Sequence, residues 1–303
     1  LNGSAPDAPE LLHRMGIAIR HRGPDDEGSF AEGPLLLGMR RLSIIDVAGG
    51  HQPITGEDGN VVVVCNGEIY NFQALRTELE SRGHRFATRS DTEVVVHGYE
   101  EWGDAILGRL EGMFGLAIWD RRRRRLLVAR DPLGIKPLYY YQDATRFAFA
   151  SEAKALLRVP GIEARIDAAA LAQYLSVGYV CAPNALFAGM RKLPPGHRLV
   201  VEEGRVDIRA YWSLKPEIDG NRTEKAWIDE LRSEMERAVR EQMVSDVPIG
   251  AFLSGGIDSS AVVAFMSRHT DQPVRTYSIG FAGSSGAALY NELPHARAVA
   301  QAF

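Results

Sequence analysis

The chain has 303 residues, 45% of them hydrophobic and 24% charged, with a formal net charge of −4. That composition excludes disordered, collagen-like and coiled-coil chains, and its mild acidity is a poor match for duplex nucleic acid or an anionic membrane surface. Two cysteines, Cys65 and Cys181, cannot build a disulfide framework, no apolar run is long enough to span a membrane, and no basic-then-apolar leader opens the sequence; a cytoplasmic protein is expected.

In chain order, strands are expected at 35–39, 61–65, 114–120, 126–130, 138–141 and 147–150, rich in β-branched, aromatic and leucine residues and bounded by Gly, Pro and Asp. Helices are expected at 71–82, 90–102 and 167–176, the second opened by Ser90 and Glu93 at capping-box spacing. Read alone, Asn66-Gly67 is a turn after a strand, Ser90-Asp91 a helix cap, and the five arginines 121–125 a solvated hairpin end. Around 211–222, Pro216, Gly220 and scattered charges suggest a linker.

Beyond the linker the pattern becomes α/β. A long helix is expected at 223–245, then a buried strand at 248–253, a Gly-rich loop, a helix to about His269 and a second strand at 274–279. A strand–helix–strand unit of this kind implies a parallel sheet. The apolar stripe of Leu293, Ala296, Ala300 and Phe303 runs on without a stop signal, and the first residue is Leu1. The sequence is therefore expected to be an internal part of a longer protein. A two-strand sheet with a bare face is further expected to make the isolated chain associate.

The run Leu253-Ser254-Gly255-Gly256-Ile257-Asp258-Ser259-Ser260 ends the first of those strands and opens a helix. A helix N-terminus carries unpaired N–H groups and partial positive charge, glycines admit an anion close to the backbone, and serines add donors, so a phosphate or pyrophosphate cradle is expected. The run lacks the Gly-Lys-Ser/Thr ending of a Walker A loop. It resembles the PP-loop of the ATP pyrophosphatases. That resemblance implies that Ser254, Gly255, Gly256, Asp258, Ser259 and Ser260 hold ATP with Mg2+, with Leu253 and Ile279 flanking the adenine.

Four upstream segments stand out: Arg20-His21-Arg22-Gly23-Pro24-Asp25, Arg40-Arg41-Leu42-Ser43, Cys65-Asn66-Gly67-Glu68-Ile69-Tyr70-Asn71 and Ser90-Asp91-Thr92-Glu93. With Ala129-Arg130-Asp131-Pro132-Leu133-Gly134-Ile135-Lys136-Pro137, Ser151-Glu152-Ala153-Lys154 and Lys192-Leu193-Pro194-Pro195-Gly196-His197, they resemble a class II glutamine amidotransferase domain. Together with the PP-loop, the chain resembles the glutamine-hydrolysing asparagine synthase family.

The resemblance implies an α+β N-terminal-nucleophile (Ntn) hydrolase sandwich, αββα, over 1–210, a linker at 211–222, and the start of an α/β parallel-sheet PP-loop domain at 223–303. It implies that glutamine is hydrolysed in the first domain, and that the ammonia released converts an ATP-activated carboxylate, aspartate by default, to its amide. Homodimers are the family habit.

Chemically, glutamine is a zwitterion with a side-chain amide. Arg41 offers a planar fork for its carboxylate, Glu68 and Asp91 offer anions for its ammonium, and the Asn66 side chain and Gly67 N–H would stabilise the oxyanion. The family's nucleophile is a cysteine at the mature N-terminus, which this sequence does not contain; Cys65 is internal and reads as a buried structural thiol. As it stands the chain is expected to be inactive. Two alternatives stay open: a glutamine-independent synthetase of the β-lactam synthetase type, and a non-catalytic module that binds nucleotide or glutamine. No His or Cys cluster has metal-ligand spacing.

Overall fold

A computed structural model describes residues 8–280 and 291–303. It divides into two compact units, Leu1–Lys215 and Pro216–Phe303.

The first unit opens with α1 (Ala8–Ala18), which the strand-and-turn reading does not include, and continues with the hairpin β1 (Asp26–Glu32) and β2 (Leu35–Arg41). Short β3 (Ile54–Thr55) leads into β4 (Val61–Ile69). Helices α2 (Phe72–Ser81) and α3 (Glu93–Trp102) follow, then β5 (Gly112–Asp120), β6 (Arg125–Arg130), β7 (Tyr139–Gln142) and β8 (Phe147–Ala150). Helices α4 (Ala153–Leu156) and α5 (Ala168–Val177) precede β9 (Met190–Lys192), β10 (His197–Glu202) and β11 (Arg205–Ala210). A six-stranded antiparallel sheet runs β11-β10-β6-β5-β4-β3, and a second layer holds β8-β7-β9 and the β1-β2 hairpin.

The period-2 alternation of strands builds the layers. Val62 and Val64 of β4, Ala117 and Trp119 of β5, and Leu126 and Val128 of β6 pack with Leu37, Leu138 and Tyr140 between the two sheet layers. Val61, Val63 and Cys65, one residue out of phase, are equally buried; they take the opposite face, where α3 packs on β4. On the far side of the second layer, Met15 and Ala18 of α1, with Ile19 just after it, and Leu156 of α4 close over β7 and β8. The result is an αββα sandwich.

Three local readings change. Asn66 and Gly67 lie inside β4, opposite Gly115 and Phe114 of β5, and do not form a turn. The strand continues to Ile69 because Gly67 tolerates the close approach of β5; a Cβ there would stand 2.0 Å from the Met113 carbonyl oxygen. Nor do Ser90 and Glu93 form a capping box. Ser90 Oγ accepts from Thr92 N–H, while the Glu93 carboxylate accepts from Ala87 N–H, Thr88 N–H and Thr88 O–H. Burial alone would raise the Glu93 carboxyl, but contacts with His97, Thr88 and Ala87 outweigh it and hold it at about 2. Of the five arginines, Arg121 and Arg122 pair with Glu32 and Asp58, but Arg125 is buried in β6 and forks onto both oxygens of Asp104 at 2.8 and 2.7 Å. Run-level composition cannot see that one arginine of the five alternates inward.

In the second unit, α6 (Glu224–Gln242) is followed by β12 (Gly250–Phe252), α7 (Ile257–Met266), β13 (Arg275–Tyr277) and α8 (Leu293–Ala302). β12 and β13 pair in parallel, as a strand–helix–strand unit requires. Leu253, Val263 and Ala296 form its small core, while Phe252 and Ile279 stay largely exposed. Among the described residues no helix is long and apolar enough to cross a membrane.

Candidate functional site

All five residues predicted to bind glutamine line one pocket of about 290 Å³: Arg41 from the end of β2, Asn66, Gly67 and Glu68 from the outer part of β4, and Asp91 from the turn before α3. The register of β4 decides what each offers. Phe114, opposite Gly67, gives its N–H to Asp131 Oδ2 and its carbonyl to Asp131 N–H, so it points away from Gly67. Gly67 therefore turns its own N–H outward, on the same edge as Cys65 and Ile69. On that edge Gln52 Oε1 takes the Cys65 N–H at 2.7 Å and Asp91 Oδ2 takes the Ile69 N–H at 2.8 Å. No side chain among the described residues takes the Gly67 N–H between them. The edge presents one open donor, bracketed by two that are fixed.

Beside it, Asn66 Nδ2 donates to Ser151 Oγ at 3.3 Å, which holds the amide in place and leaves its second N–H available. Arg41 is buried and gives Nη2 hydrogens to the carbonyls of Ile45 at 2.7 Å and Asp46 at 2.9 Å, which locks the guanidinium plane at the pocket wall. The half-buried Glu68 carboxylate forms no hydrogen bond or ion pair among the described residues; burial, then Asp91, pushes it above the ordinary range, with Lys136 opposing. Burial likewise raises Asp91, against its hydrogen bonds from Ile69, Thr92 and Ser90. The pocket thus combines an open oxyanion-type donor, a fixed cation and an unpaired carboxylate.

Cys65 contributes no nucleophile. It is 1% exposed, and burial, reinforced by Asp91, pushes its thiol far above the ordinary range.

Gln52, which carries no local motif, and Lys136, from the 129–137 segment, also line the pocket. Gln52 acts as a strand surrogate, accepting the Cys65 N–H and donating to its carbonyl at 3.1 Å. Lys136 gives its N–H to the buried Asp131 carboxylate at 2.9 Å. Arg22 and His21 sit at the pocket mouth, both on Glu152, at 3.2 and 2.8 Å.

A second, apolar cavity of about 570 Å³ adjoins the pocket and shares Arg22, Met39, Arg40 and Asn66 with it. It is lined along one side by β2 and along another by β8. Each of these strands pairs with only one other among the described residues.

In the second unit the predicted loop leads into α7. Ser254 Oγ lies 3.0 Å from Ser259 Oγ and accepts the Gly256 N–H at 3.2 Å. Ser260 N–H closes the first helical bond onto the Gly256 carbonyl. Gly255 has φ +85°, and a Cβ there would meet the His295 and Ala296 backbone of α8 at 2.5 and 2.6 Å; the position admits only glycine. No side chain caps the α7 N-terminus, and Asp258 in its first turn is exposed. Uncapped N–H groups with two hydroxyls suit phosphate oxygens. A single exposed carboxylate suits Mg2+ that keeps phosphate and water ligands, so the donor set fits Mg·ATP. Leu253, the residue after β12, has its side chain in the core, and its N–H and carbonyl are taken by the Tyr277 carbonyl and the Ser278 hydroxyl.

The first unit is thus a sandwich of two antiparallel layers between helices, with an open main-chain donor toward the end of β4. The chain belongs to the glutamine amidotransferase domain family, whose model matches residues 2–212; the asparagine synthase family model matches residues 230–303.

Among its relatives are asparagine synthetase [glutamine-hydrolyzing] 3 of Bacillus subtilis, 38% identical over 90% of this chain, and asparagine synthetase [glutamine-hydrolyzing] 1 of the same organism, 41% identical over 91%. Asparagine synthetase B [glutamine-hydrolyzing] of Escherichia coli is 37% identical over 88%. The chain spans 45%, 43% and 44% of their lengths. Two solved structures share the fold. The allosteric regulatory enzyme of purine biosynthesis has a TM-score of 0.51 at 18% identity, over 95% of this chain and 68% of that one. The glutamine phosphoribosylpyrophosphate amidotransferase of B. subtilis has a TM-score of 0.50 at 17% identity, over 93% and 68%.

Proposed function

We propose that the first unit is the glutaminase half of a glutamine-dependent, ATP-driven amide synthetase, and that its 290 Å³ pocket holds glutamine. The observation that carries the proposal is the open Gly67 N–H beside the anchored Asn66 amide, within a pocket that also offers a cation and an unpaired carboxylate. Arg41 binds the substrate carboxylate, Glu68 and Asp91 its ammonium, and Asn66 with Gly67 the oxyanion of the tetrahedral intermediate.

The nucleophile in this proposal is a cysteine on a segment upstream of Leu1. The apolar cavity supports it: an extended segment laid between β2 and β8 would deliver its end beside Asn66, which both cavities share. The second unit binds Mg·ATP at Ser254, Gly255, Gly256, Asp258, Ser259 and Ser260, next to Leu253 and Ile279. Bound there, ATP supplies the activation of an acceptor carboxylate, aspartate in the first instance, and Asp258 is the residue placed to meet Mg2+. The ammonia released in the first unit completes the amide.

The test is the N-terminal sequence of the mature full-length protein, paired with glutaminase and ATP–pyrophosphate exchange assays. A Cys terminus with both activities is expected. A terminus other than Cys, with exchange but no glutaminase, would leave an ATP-dependent ligase that takes its nitrogen elsewhere; absence of both would leave a binding module.

Glu68→Gln is expected to raise the KM for glutamine about 10- to 100-fold, the worth of one charge-assisted contact to an ammonium. The sign of the pH dependence follows from the raised Glu68 pKa. Its carboxylate is lost as pH falls, and is lost at a higher pH than an ordinary glutamate's, so KM climbs on the acid side in the wild type. In Glu68→Gln that limb flattens. An unchanged KM with an intact acid limb would remove Glu68 from the ammonium site.

A further inference from the structure

Away from the pocket, folding brings together three residues that are dispersed in the sequence. His97 and Glu100 sit one turn apart on the same face of α3, and His84 follows α2 in the connection that returns to it. One ligand atom of each lies within 4.8 Å of the other two. Glu100 Oε2 is 3.0 Å from His97 Nδ1 and 3.6 Å from His84 Nδ1. Donors at about 2.0–2.1 Å from a tetrahedral zinc ion stand roughly 3.3 Å apart, and these distances straddle that value.

The surroundings are those of a built site. The His97 side chain is 1% exposed, and its far nitrogen, Nε2, has no hydrogen-bond partner, only an ion-pair contact with Glu93 Oε1 at 3.5 Å. The Glu93 carboxylate is itself fixed by the N–H groups of Ala87 and Thr88 and by the Thr88 hydroxyl. His84 repeats the arrangement: its Nε2 lies 3.4 Å from Glu101 Oε2, and Arg82 Nη1 donates to the other oxygen of that carboxylate, Oε1, at 2.9 Å. Both imidazoles thus turn one nitrogen toward Glu100 and the other toward an anchored carboxylate. A carboxylate behind a histidine is how metal-ligating imidazoles are oriented and made more basic. Room for Glu100 is reserved by Gly56, where a Cβ would stand 2.0 Å from Glu100 Oε1.

We propose that His84, His97 and Glu100 form a structural site for a divalent transition cation of the zinc class, with Glu93 and Glu101 as the carboxylates that orient the two histidines. Two imidazoles and one carboxylate select Zn2+, Co2+ or Ni2+ over Mg2+ and Ca2+, which prefer all-oxygen sets. The site ties the α2–α3 connection to α3, whose preceding turn supplies Asp91 to the pocket; it takes no part in the reaction.

The test is titration of the metal-stripped full-length protein with Co2+ and Zn2+, read by the visible bands of four- or five-coordinate cobalt, by metal content after gel filtration, and by melting temperature. One equivalent of either ion, a raised melting temperature and no response to Mg2+ are expected. His84→Ala and Glu100→Gln should each lose at least ten-fold in affinity and lose the melting shift. His97 is left intact because it is buried, and the far-UV spectrum of each variant reports whether the fold is kept. Absence of stoichiometric binding by the wild type would overturn the proposal. So would binding that survives unchanged in folded His84→Ala, since the ion would then sit elsewhere.

Discussion

Asn66→Ala in the full-length protein is expected to lower glutaminase turnover by about 10²- to 10³-fold while leaving synthesis from added ammonia at its wild-type rate. Removing one donor from an oxyanion hole costs roughly 3 kcal/mol of barrier, because the donor is fixed in place before charge develops and has no solvent to reorganise. Asn66 meets that condition: its amide is held by Ser151 and flanked by a main-chain donor that needs no side chain. The KM for glutamine should move little, since the ammonium and carboxylate contacts belong to Glu68, Asp91 and Arg41. Asn66→Asp should lose more than the alanine variant, because it replaces a donor with a negative charge beside the developing oxyanion. Ammonia-dependent turnover serves as the control, for it bypasses the pocket. Near-normal glutaminase in Asn66→Ala would remove Asn66 from the oxyanion site.

The predicted pocket residues were named by the resemblance of their segments to a class II glutamine amidotransferase domain; read alone, Asn66-Gly67 was a turn and Ser90-Asp91 a helix cap. What was not legible was the direction of the backbone. Asn66-Gly67 has turn composition, yet lies within β4 because Gly67 lets β5 come close, and only the parity of that strand turns the Gly67 N–H toward the pocket. Gln52 was equally invisible, since it copies a neighbouring strand with a side chain and no local pattern encodes that. Helix α1 escaped a strand-and-turn reading because its stripe packs on the second sheet layer through Met15 and Ala18, a partner that exists only in the fold. In the second unit the strand–loop–helix order was readable because glycines and serines mark the loop locally, but the burial expected of 248–253 is not found: Gly250 and Phe252 are exposed and Leu253 alone of the run is buried in the core. The same locality explains why His84 and His97 do not read as a cluster: a dozen residues and a returning connection separate them.

The other large effect is expected at Asp131, a residue outside the pocket. Its side chain is fully buried and accepts four main-chain N–H groups: Phe114 at 3.3 Å and Lys136 at 2.9 Å on one oxygen, Leu133 at 3.2 Å and Ile135 at 2.9 Å on the other. Arg130 completes the loop from outside, giving its three nitrogens to the carbonyls of Lys136, Gly134 and Leu193 at 2.7, 2.7 and 2.8 Å. A buried carboxylate that satisfies four donors is costly to remove, because each donor is left without water and without an acceptor, at about 1–3 kcal/mol apiece before relaxation. Asp131→Ala should therefore destabilise the first unit by about 4 kcal/mol or more. At roughly 2–4 °C per kcal/mol for a unit of this size, its melting temperature should fall by about 10 °C. Asp131→Asn keeps one acceptor oxygen but places an NH2 group against donors, and should fall in between. The loop carries Lys136 to the pocket wall, so at temperatures where Asp131→Asn remains folded its KM for glutamine should still rise, with the ATP–pyrophosphate exchange of the other unit unchanged. A melting shift below about 2 °C in Asp131→Ala would mean that the loop closes on itself without its carboxylate. In that case Lys136 would owe its position to the Arg130 clamp alone.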